Sequence, residues 1–123
     1  MSDVVITVPK NFTHESAPGK VGLDAWLAEG DRAGELWSGK EWKFPCGWGK
    51  PDIEPGERVY IVCNGQLVGY APLIRLEERE RDGRWTWLLV RGGGAVNCTI
   101  DERIIGFRGC RERWWDREQE RPW

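Results

Sequence analysis

Residues 55–74 read PGERVYIVCNGQLVGYAPLI, and this stretch predicts a β-hairpin. Residues 59–64 place their side chains alternately on two faces, which is the period of a pleated strand. Asn64 and Gly65 then supply the two residues of positive φ that a type I′ turn requires. An apolar return strand follows directly. The stretch therefore predicts a two-stranded antiparallel unit from which the rest of the architecture can be argued.

The residues around this hairpin resemble the small PUA-like barrels. Pro55-Gly56-Glu57 leads into the first strand, and Leu67-Val68-Gly69-Tyr70-Ala71 is a return strand that contains a glycine. Within that superfamily the pattern is most similar to the ASCH and EVE families, over the middle and C-terminal two thirds of the chain. The resemblance implies a compact β-barrel flanked by helices that binds RNA or DNA, often around an unusual or modified base.

Length and composition predict one domain over residues 1–123. Its expected fold class is α+β, mostly β, namely a small PUA-like β-barrel with one or two flanking helices. Residues 4–8 predict a first strand, and residues 18–30 predict a helix that ends at a glycine. Residues 31–54 have no sustained period and predict a long irregular segment, while the charged run 77–82 predicts a solvated turn.

The second half of the chain predicts further strands. Residues 84–90 carry apolar side chains on both faces, which indicates a central strand with Trp85 and Trp87 in the core. The glycines at 92–94 predict a bulge or a bend, and residues 107–115 predict a last strand. The two tryptophans that end this strand are adjacent, so one ring should be buried and the other available.

The cysteines indicate neither a metal site nor a disulfide framework. The four are widely spaced with no Cys-x-x-Cys pair, and His14 is the only histidine, so we predict no metal and no cofactor. Cys63 and Cys98 lie in strand-like runs and should act as small buried hydrophobes. With no apolar run of membrane-spanning length and no signal-peptide pattern, we predict a cytoplasmic protein with reduced thiols and no membrane partner.

The formal net charge of −2 excludes a protein that holds nucleic acid by bulk electrostatics. A nucleic-acid site must therefore be local, and the lysines and tryptophans of residues 31–54 suggest one. Aromatic rings beside ammonium groups suit an unstacked base, whose stacking contributes roughly 1 to 3 kcal/mol. We predict base contacts from Trp37, Trp42, Trp48, Asn97 and Thr99, and phosphate contacts from Lys10, Lys40, Lys43, Lys50, Arg108, Arg111 and Arg113.

These residues also have ordinary structural interpretations. The tryptophans could form a small core of their own within an irregular segment. The arginines could form a solvated face of salt bridges, and Asn97 and Thr99 could be ordinary strand residues. The preferred hypothesis is a module that takes one base, standard or modified, of RNA or DNA into an aromatic, lysine-flanked cleft.

An enzymatic alternative follows from the same resemblance. ASCH-type ribonucleases and amidohydrolases act on RNA or on an acylated nucleoside with a lysine and glutamate pair, which here implies Lys20 or Lys40 with Glu41. A lysine can act as a base only where burial lowers its pKa. The sequence leaves open whether the protein is an enzyme. A third possibility is a protein-interaction barrel without a nucleic-acid role. The sequence does not determine the oligomeric state.

Overall fold

The structure is a computed structural model that describes residues 3–8, 19, 21, 42–47, 49–91, 96–107 and 109–122. These residues are mostly β. The elements are β1 (Val4–Val8), β2 (Trp42–Gly47), β3 (Arg58–Cys63), β4 (Gln66–Arg81), β5 (Arg84–Arg91), β6 (Val96–Asn97), β7 (Cys110–Glu112) and a 3-10 turn (Arg117–Gln119).

The described strands form one mixed sheet in the order β2-β5-β4-β3-β1-β7, with β6 paired to β4. Strands β1 and β3 are parallel, from Val4 opposite Val59 to Val8 opposite Cys63. Strands β3 and β4 form the predicted antiparallel hairpin. Its turn residues have φ of 53° at Asn64 and 80° at Gly65, which confirms the expected turn.

The central strands are buried on both faces, which explains their nearly continuous apolar sequence. One face of β1 and β3 joins a core with Leu73 of β4, Leu89 of β5 and Cys46 of β2. The opposite face packs under the C-terminal part of the chain, where Trp115 closes a second core. The predicted small buried hydrophobes Cys63 and Cys98 belong to these cores, one to each.

Strand β4 takes part in two ladders. Its first half, up to Pro72, pairs with β3, and its second half, from Leu73, pairs with β5. The register shifts between Leu73 and Arg75, and such an irregularity bends a strand locally. Within the first half of β4, Gly69 and Tyr70 pair with β6 as well as with β3.

A disulfide between Cys46 and Cys110 joins β2 to β7, the two ends of the strand order. Their Cα atoms lie 5.3 Å apart. The prediction that the thiols are reduced is wrong for this pair, because the fold brings together two cysteines that are 64 residues apart in sequence. Spacing along the chain could not reveal that approach.

Three local predictions also need correction. Residues 42–47 form β2, since pairing with β5 orders a stretch that has no period of its own. The charged run 77–82 continues β4 up to Arg81, and only Asp82 and Gly83 turn. Trp85 is 61% exposed, because it lies at the outer end of the β4–β5 hairpin beyond the core.

Other predictions are confirmed, and some concern residues that the structure does not describe. The first strand has the predicted bounds, and part of the predicted last strand forms β7. Trp87 is half-buried against the first core, while Trp115 is buried and Trp114 is exposed, as expected of adjacent rings. Within residues 18–30 only Gly19 and Val21 are described, and neither is helical. The glycines at 92–94 lie outside the described residues.

Candidate functional site

A cavity of about 290 Å³ opens where the start of β3, the first half of β4, β6 and the C-terminal residues meet. This volume is at the low end of the roughly 300 to 1,000 Å³ typical of small-molecule sites. Three arginines, a glutamate, an asparagine amide and a tyrosine ring converge on it. The lining residues are Arg58, Tyr70, Val96, Asn97, Cys98, Arg117, Glu120, Arg121 and Pro122.

The strand register explains how Arg58 reaches this cavity. Arg58 and Tyr60 lie two residues apart on one face of β3, and Tyr70 lies opposite Tyr60 across the hairpin. The guanidinium carbon of Arg58 is 4.1 Å from the centre of the Tyr70 ring. The same Arg58 donates from Nη1 to the hydroxyl of Tyr60 at 2.9 Å. Two aromatic residues therefore orient one guanidinium.

Glu120 holds the arginine from the other side of the cavity. Its Oε1 accepts from Nη1 of Arg58 at 3.0 Å, while its Oε2 accepts from the Tyr60 hydroxyl at 2.6 Å and from Nε1 of Trp115 at 2.9 Å. Its side chain is only 9% exposed. Three donors thus place a nearly buried carboxylate, and that carboxylate in turn limits the movement of Arg58.

Two titratable groups at this site are shifted towards their neutral forms. Burial, and then the hydrogen bond to Glu120, raises the pKa of Tyr60 above its ordinary value of 10.0. Burial also raises the pKa of the Cys98 thiol, from 9.0 to about 12. Cys98 is therefore a protonated thiol at neutral pH, which disfavours it as a nucleophile.

Asp3 supports the cavity from behind. Its Oδ1 accepts from the backbone N–H of Arg58 at 2.8 Å, and its Oδ2 accepts from Arg113 at 3.1 Å and from Nη2 of Arg117 at 2.7 Å. Burial alone would raise the pKa of Asp3, but these three hydrogen bonds outweigh burial and lower it below the ordinary 3.8. The charged carboxylate therefore ties β1 to β3 and to the C-terminal segment.

The last residues of the described chain close the cavity. The backbone of Arg121 pairs in both directions with Thr99, at 2.8 and 2.9 Å. The Arg121 side chain donates from Nε to exposed Asp101 at 3.0 Å. A few residues earlier in the chain, Arg117 begins the 3-10 turn Arg117–Gln119 and donates from Nη2 to Asp3. The C-terminal segment is thus held by backbone pairing and by ion pairs rather than by a long secondary-structure element.

Asn97 is the predicted base-binding residue that lines this cavity. It lies on β6 opposite Gly69 of β4. Among the contacts of the described residues, no protein group bonds to its side-chain amide, which leaves both its donors and its acceptor for a ligand. Its predicted companion Thr99 is buried, and its hydroxyl donates to the carbonyl of Ile100 at 3.3 Å.

The predicted phosphate-binding residues that are described lie away from the cavity lining. Lys43 pairs with Glu77 at 3.0 Å, and the Lys50 ammonium lies 5.3 Å from the centre of the Trp87 ring. The guanidinium of Arg111 stacks on Phe107 at 4.6 Å. Arg113 is used in the ion pair with Asp3 and also donates to the carbonyl of Trp115.

The side chains of the remaining predicted site residues are not described. Trp42 begins β2, and its backbone alone is described. The others lie outside the described residues, namely Trp37, Trp48, Lys10, Lys20, Lys40, Glu41 and Arg108. The proposed aromatic, lysine-flanked cleft and the proposed Lys/Glu pair therefore stay predictions.

Sequence reasoning did not single out five lining residues of chemical interest, nor Tyr60, which bonds to two of them. Arg58, Tyr60 and Tyr70 had a usable signal, because the two-residue period places the first two on one strand face and the hairpin register brings the third opposite. Glu120, Arg117 and Arg121 had no such signal, since they lie in a charged stretch without a period. Only folding of that stretch over β3 and β6 brings them to the cavity.

Comparisons with known proteins add no identification. No family model, curated protein or solved structure matches this chain. Within the described residues, no group of three or more histidine, cysteine, aspartate or glutamate side chains could hold a metal ion. The same residues contain no helix that is long and apolar enough to cross a membrane.

Proposed function

We propose that the protein is a nucleic-acid-binding module that recognises a single base, standard or modified, of RNA or DNA. The observation that carries the proposal is the juxtaposition of the fixed Arg58–Tyr70 stack with the amide of Asn97 in one cavity. Guanidinium planes and aromatic rings stack on unpaired bases, and an asparagine amide can bond to a base edge through both of its polar atoms.

The state of Arg58 favours a planar ligand. One face of the guanidinium lies on Tyr70, and its Nη1 is used by Tyr60 and Glu120. Its Nε and Nη2 bond to no protein group among the described contacts, so they are available as donors to a ligand. Since the partners of Arg58 already hold it in place, a stacking base need not immobilise a flexible side chain.

The fold part of the proposal is a PUA-like barrel. The support is that the strand order begins and ends with β2 and β7, and that a disulfide brings these two strands together. Flanking helices and the tryptophan and lysine cleft belong to the same proposal, with Trp37, Trp42 and Trp48 as further base contacts. Such a cleft would extend the contact along a strand beyond the base held in the cavity.

A cytoplasmic location also stays a proposal. A reducing compartment disfavours disulfides, so the redox state of Cys46 and Cys110 in the cell tests the cytoplasmic location. Alkylation of free thiols at the moment of cell lysis, followed by mass spectrometry, measures the reduced fraction of both cysteines. Full oxidation in the native host would contradict the cytoplasmic location.

Equilibrium binding to short single-stranded RNA and DNA at low salt tests the function. We expect binding that depends on base identity, including modified cytosines or adenines, and Asn97→Ala should weaken it by roughly 1 to 3 kcal/mol. Gln66→Ala is the matched control, because Gln66 is an exposed amide that does not line the cavity. Absence of binding to every oligonucleotide would end the proposal.

The same samples distinguish a reader from an enzyme. A module that only binds leaves RNA and acylated nucleosides intact after prolonged incubation. Cleavage or deacylation that is lost in Lys40→Ala or Lys20→Ala would instead favour the ribonuclease or amidohydrolase with Glu41. Chromatography of the nucleoside products provides the measurement.

A further inference from the structure

Positive charge exceeds negative charge around the cavity. Four arginines take part in its ion-pair network. Three of them line the cavity, and Arg113 lies behind the lining. Three carboxylates oppose them, and each is already paired with arginine. The arginines are Arg58, Arg113, Arg117 and Arg121, and the carboxylates are Asp3, Asp101 and Glu120. One positive charge therefore lacks a counterpart within the network, in a chain whose overall net charge is −2.

Arg117 and Arg121 are the exposed arginines of this network at the edge of the cavity. Arg117 uses Nε and Nη2 on Asp3, and Arg121 uses Nε and Nη2 on Asp101. Among the described contacts, Nη1 of each arginine bonds to no protein group. Their side chains are 51% and 59% exposed. Both thus present N–H donors to solvent beside the place where Arg58 and Asn97 would hold a base.

We infer that the cavity binds a phosphorylated nucleoside, with its base against Arg58 and Asn97 and its phosphate between Arg117 and Arg121. This inference rests on the base recognition proposed above. Guanidinium groups suit phosphate because several N–H donors in one plane can meet its oxygens. Two exposed arginines at the cavity edge suit the charge of about −1.5 to −2 that a phosphate monoester carries at neutral pH, whereas a groove that follows a nucleic-acid backbone needs many cations.

Titration of the full chain with defined ligands tests the inference. The probes are the four common ribonucleosides, their 5′- and 3′-monophosphates, inorganic phosphate, and single-stranded oligonucleotides that contain the preferred base. We expect a monophosphate to bind about tenfold more tightly than its nucleoside, or better, which is the usual size of a charge-assisted hydrogen bond. Inorganic phosphate alone should bind more weakly than the monophosphate, because it lacks the contacts of the base.

Arg121→Gln is the decisive variant. Among the described residues its side chain pairs only with Asp101, which is 91% exposed, so the fold should tolerate the change. We expect Arg121→Gln to remove most of the preference for the monophosphate, measured as the ratio of monophosphate affinity to nucleoside affinity in the same variant. Arg79→Gln is the matched control, since it removes an exposed arginine of β4 that does not line the cavity.

The outcomes separate this inference from the proposed function. Equal affinity for nucleoside and monophosphate, or a preference that persists in Arg121→Gln and in Arg117→Gln, overturns the inference while base recognition stands. Inorganic phosphate that binds as tightly as the monophosphate also overturns it, because the site is then an anion site only. Binding of free monophosphates without oligonucleotides supports the inference and removes the nucleic-acid proposal. Absence of any binding removes both.

Discussion

Two carboxylates in this protein each take two cationic partners, yet they differ in burial. Asp3 pairs with Arg113 and Arg117 beneath the cavity, and its side chain is 1% exposed. Glu77 pairs with Lys43 and Arg75 on the outer face of the sheet, and its side chain is 28% exposed. Asp3 also accepts a backbone N–H from Arg58.

The difference separates a site that is organised in advance from an exposed surface. Charges in the interior are held by their partners because leaving one unpaired is costly, whereas exposed pairs are screened by water and contribute little. The region of Asp3 therefore has its arginines already placed for a ligand. The region of Glu77, Lys43 and the Lys50–Trp87 contact is a solvated face by comparison. Five predictions test this contrast.

The largest effect concerns the disulfide that connects the two regions, since Cys46 shares β2 with Lys43 and Cys110 precedes Arg113 on the other side. Reduction should lower the free energy of unfolding by about 4 kcal/mol, because a 64-residue loop of the unfolded chain is released. Urea denaturation with and without a dithiol reductant provides the measurement. The double variant Cys46→Ala with Cys110→Ala should not respond to reductant, and a response there would contradict the assignment.

The second prediction compares the two carboxylates directly. Asp3→Asn should destabilise the fold by about 3 kcal/mol. The change removes the negative charge that Arg113 and Arg117 pair with, and it leaves a single amide oxygen where the carboxylate accepted hydrogen bonds through both oxygens. Glu77→Gln should leave stability nearly unchanged, because its partners Lys43 and Arg75 are 49% and 43% exposed and water screens both ion pairs. Thermal melting of both variants at neutral pH decides the matter. Similar losses in the two variants would break the contrast drawn between the regions.

The pH dependence of stability sharpens the same comparison. The pKa of Asp3 is lower in the folded chain than its ordinary 3.8, so its contribution is present above pH 3.8. It is lost as pH falls from 3.8 through the lower folded value. The acid limb of the stability curve should therefore flatten in Asp3→Asn, and unchanged acid denaturation would show that other groups control it.

A smaller effect is expected of the hydrogen bonds that position Arg58. Tyr60→Phe should cost about 1 to 2 kcal/mol, because the carboxylate of Glu120 and the guanidinium of Arg58 each lose a buried partner. The pKa of Tyr60 is raised above 10.0, so its contribution is present below pH 10.0 and is lost as pH rises further. Stability of Tyr60→Phe should thus fall less steeply at alkaline pH. Tyr70→Phe serves as control, and an equal flattening there would count against the role of Tyr60.

The smallest effect is expected at the outer end of the β4–β5 hairpin. Trp85→Ala should change the free energy of unfolding by about 0.5 kcal/mol or less, because the ring is 61% exposed. Trp115→Ala should cost about 3 to 5 kcal/mol, since that ring is 5% exposed and closes the second core. Denaturant titrations of the two variants make the comparison. A large loss in Trp85→Ala would place that ring in a contact that the isolated chain does not show.

The sequence alone determined the hairpin and the first strand of this protein. Asn64 and Gly65, and the apolar alternation before and after them, depend on contacts between near neighbours in the chain, which a local pattern records. The burial of Cys63 and Cys98 followed from the same kind of pattern. Asn97 lies on a strand, as its sequence position suggested, and lines the cavity, while its role as a base contact stays a prediction.

Only the tertiary structure decided the rest. Strand β2 exists through its pairing with β5, and the run 77–82 is a strand because β5 lies beside it, although its sequence resembles a solvated turn. The disulfide and the ion pairs in and behind the cavity join residues that are 62 to 110 positions apart, such as Arg58 with Glu120 and Asp3 with Arg113. No local period encodes such an approach, because it depends on how the C-terminal segment folds over the sheet as a whole.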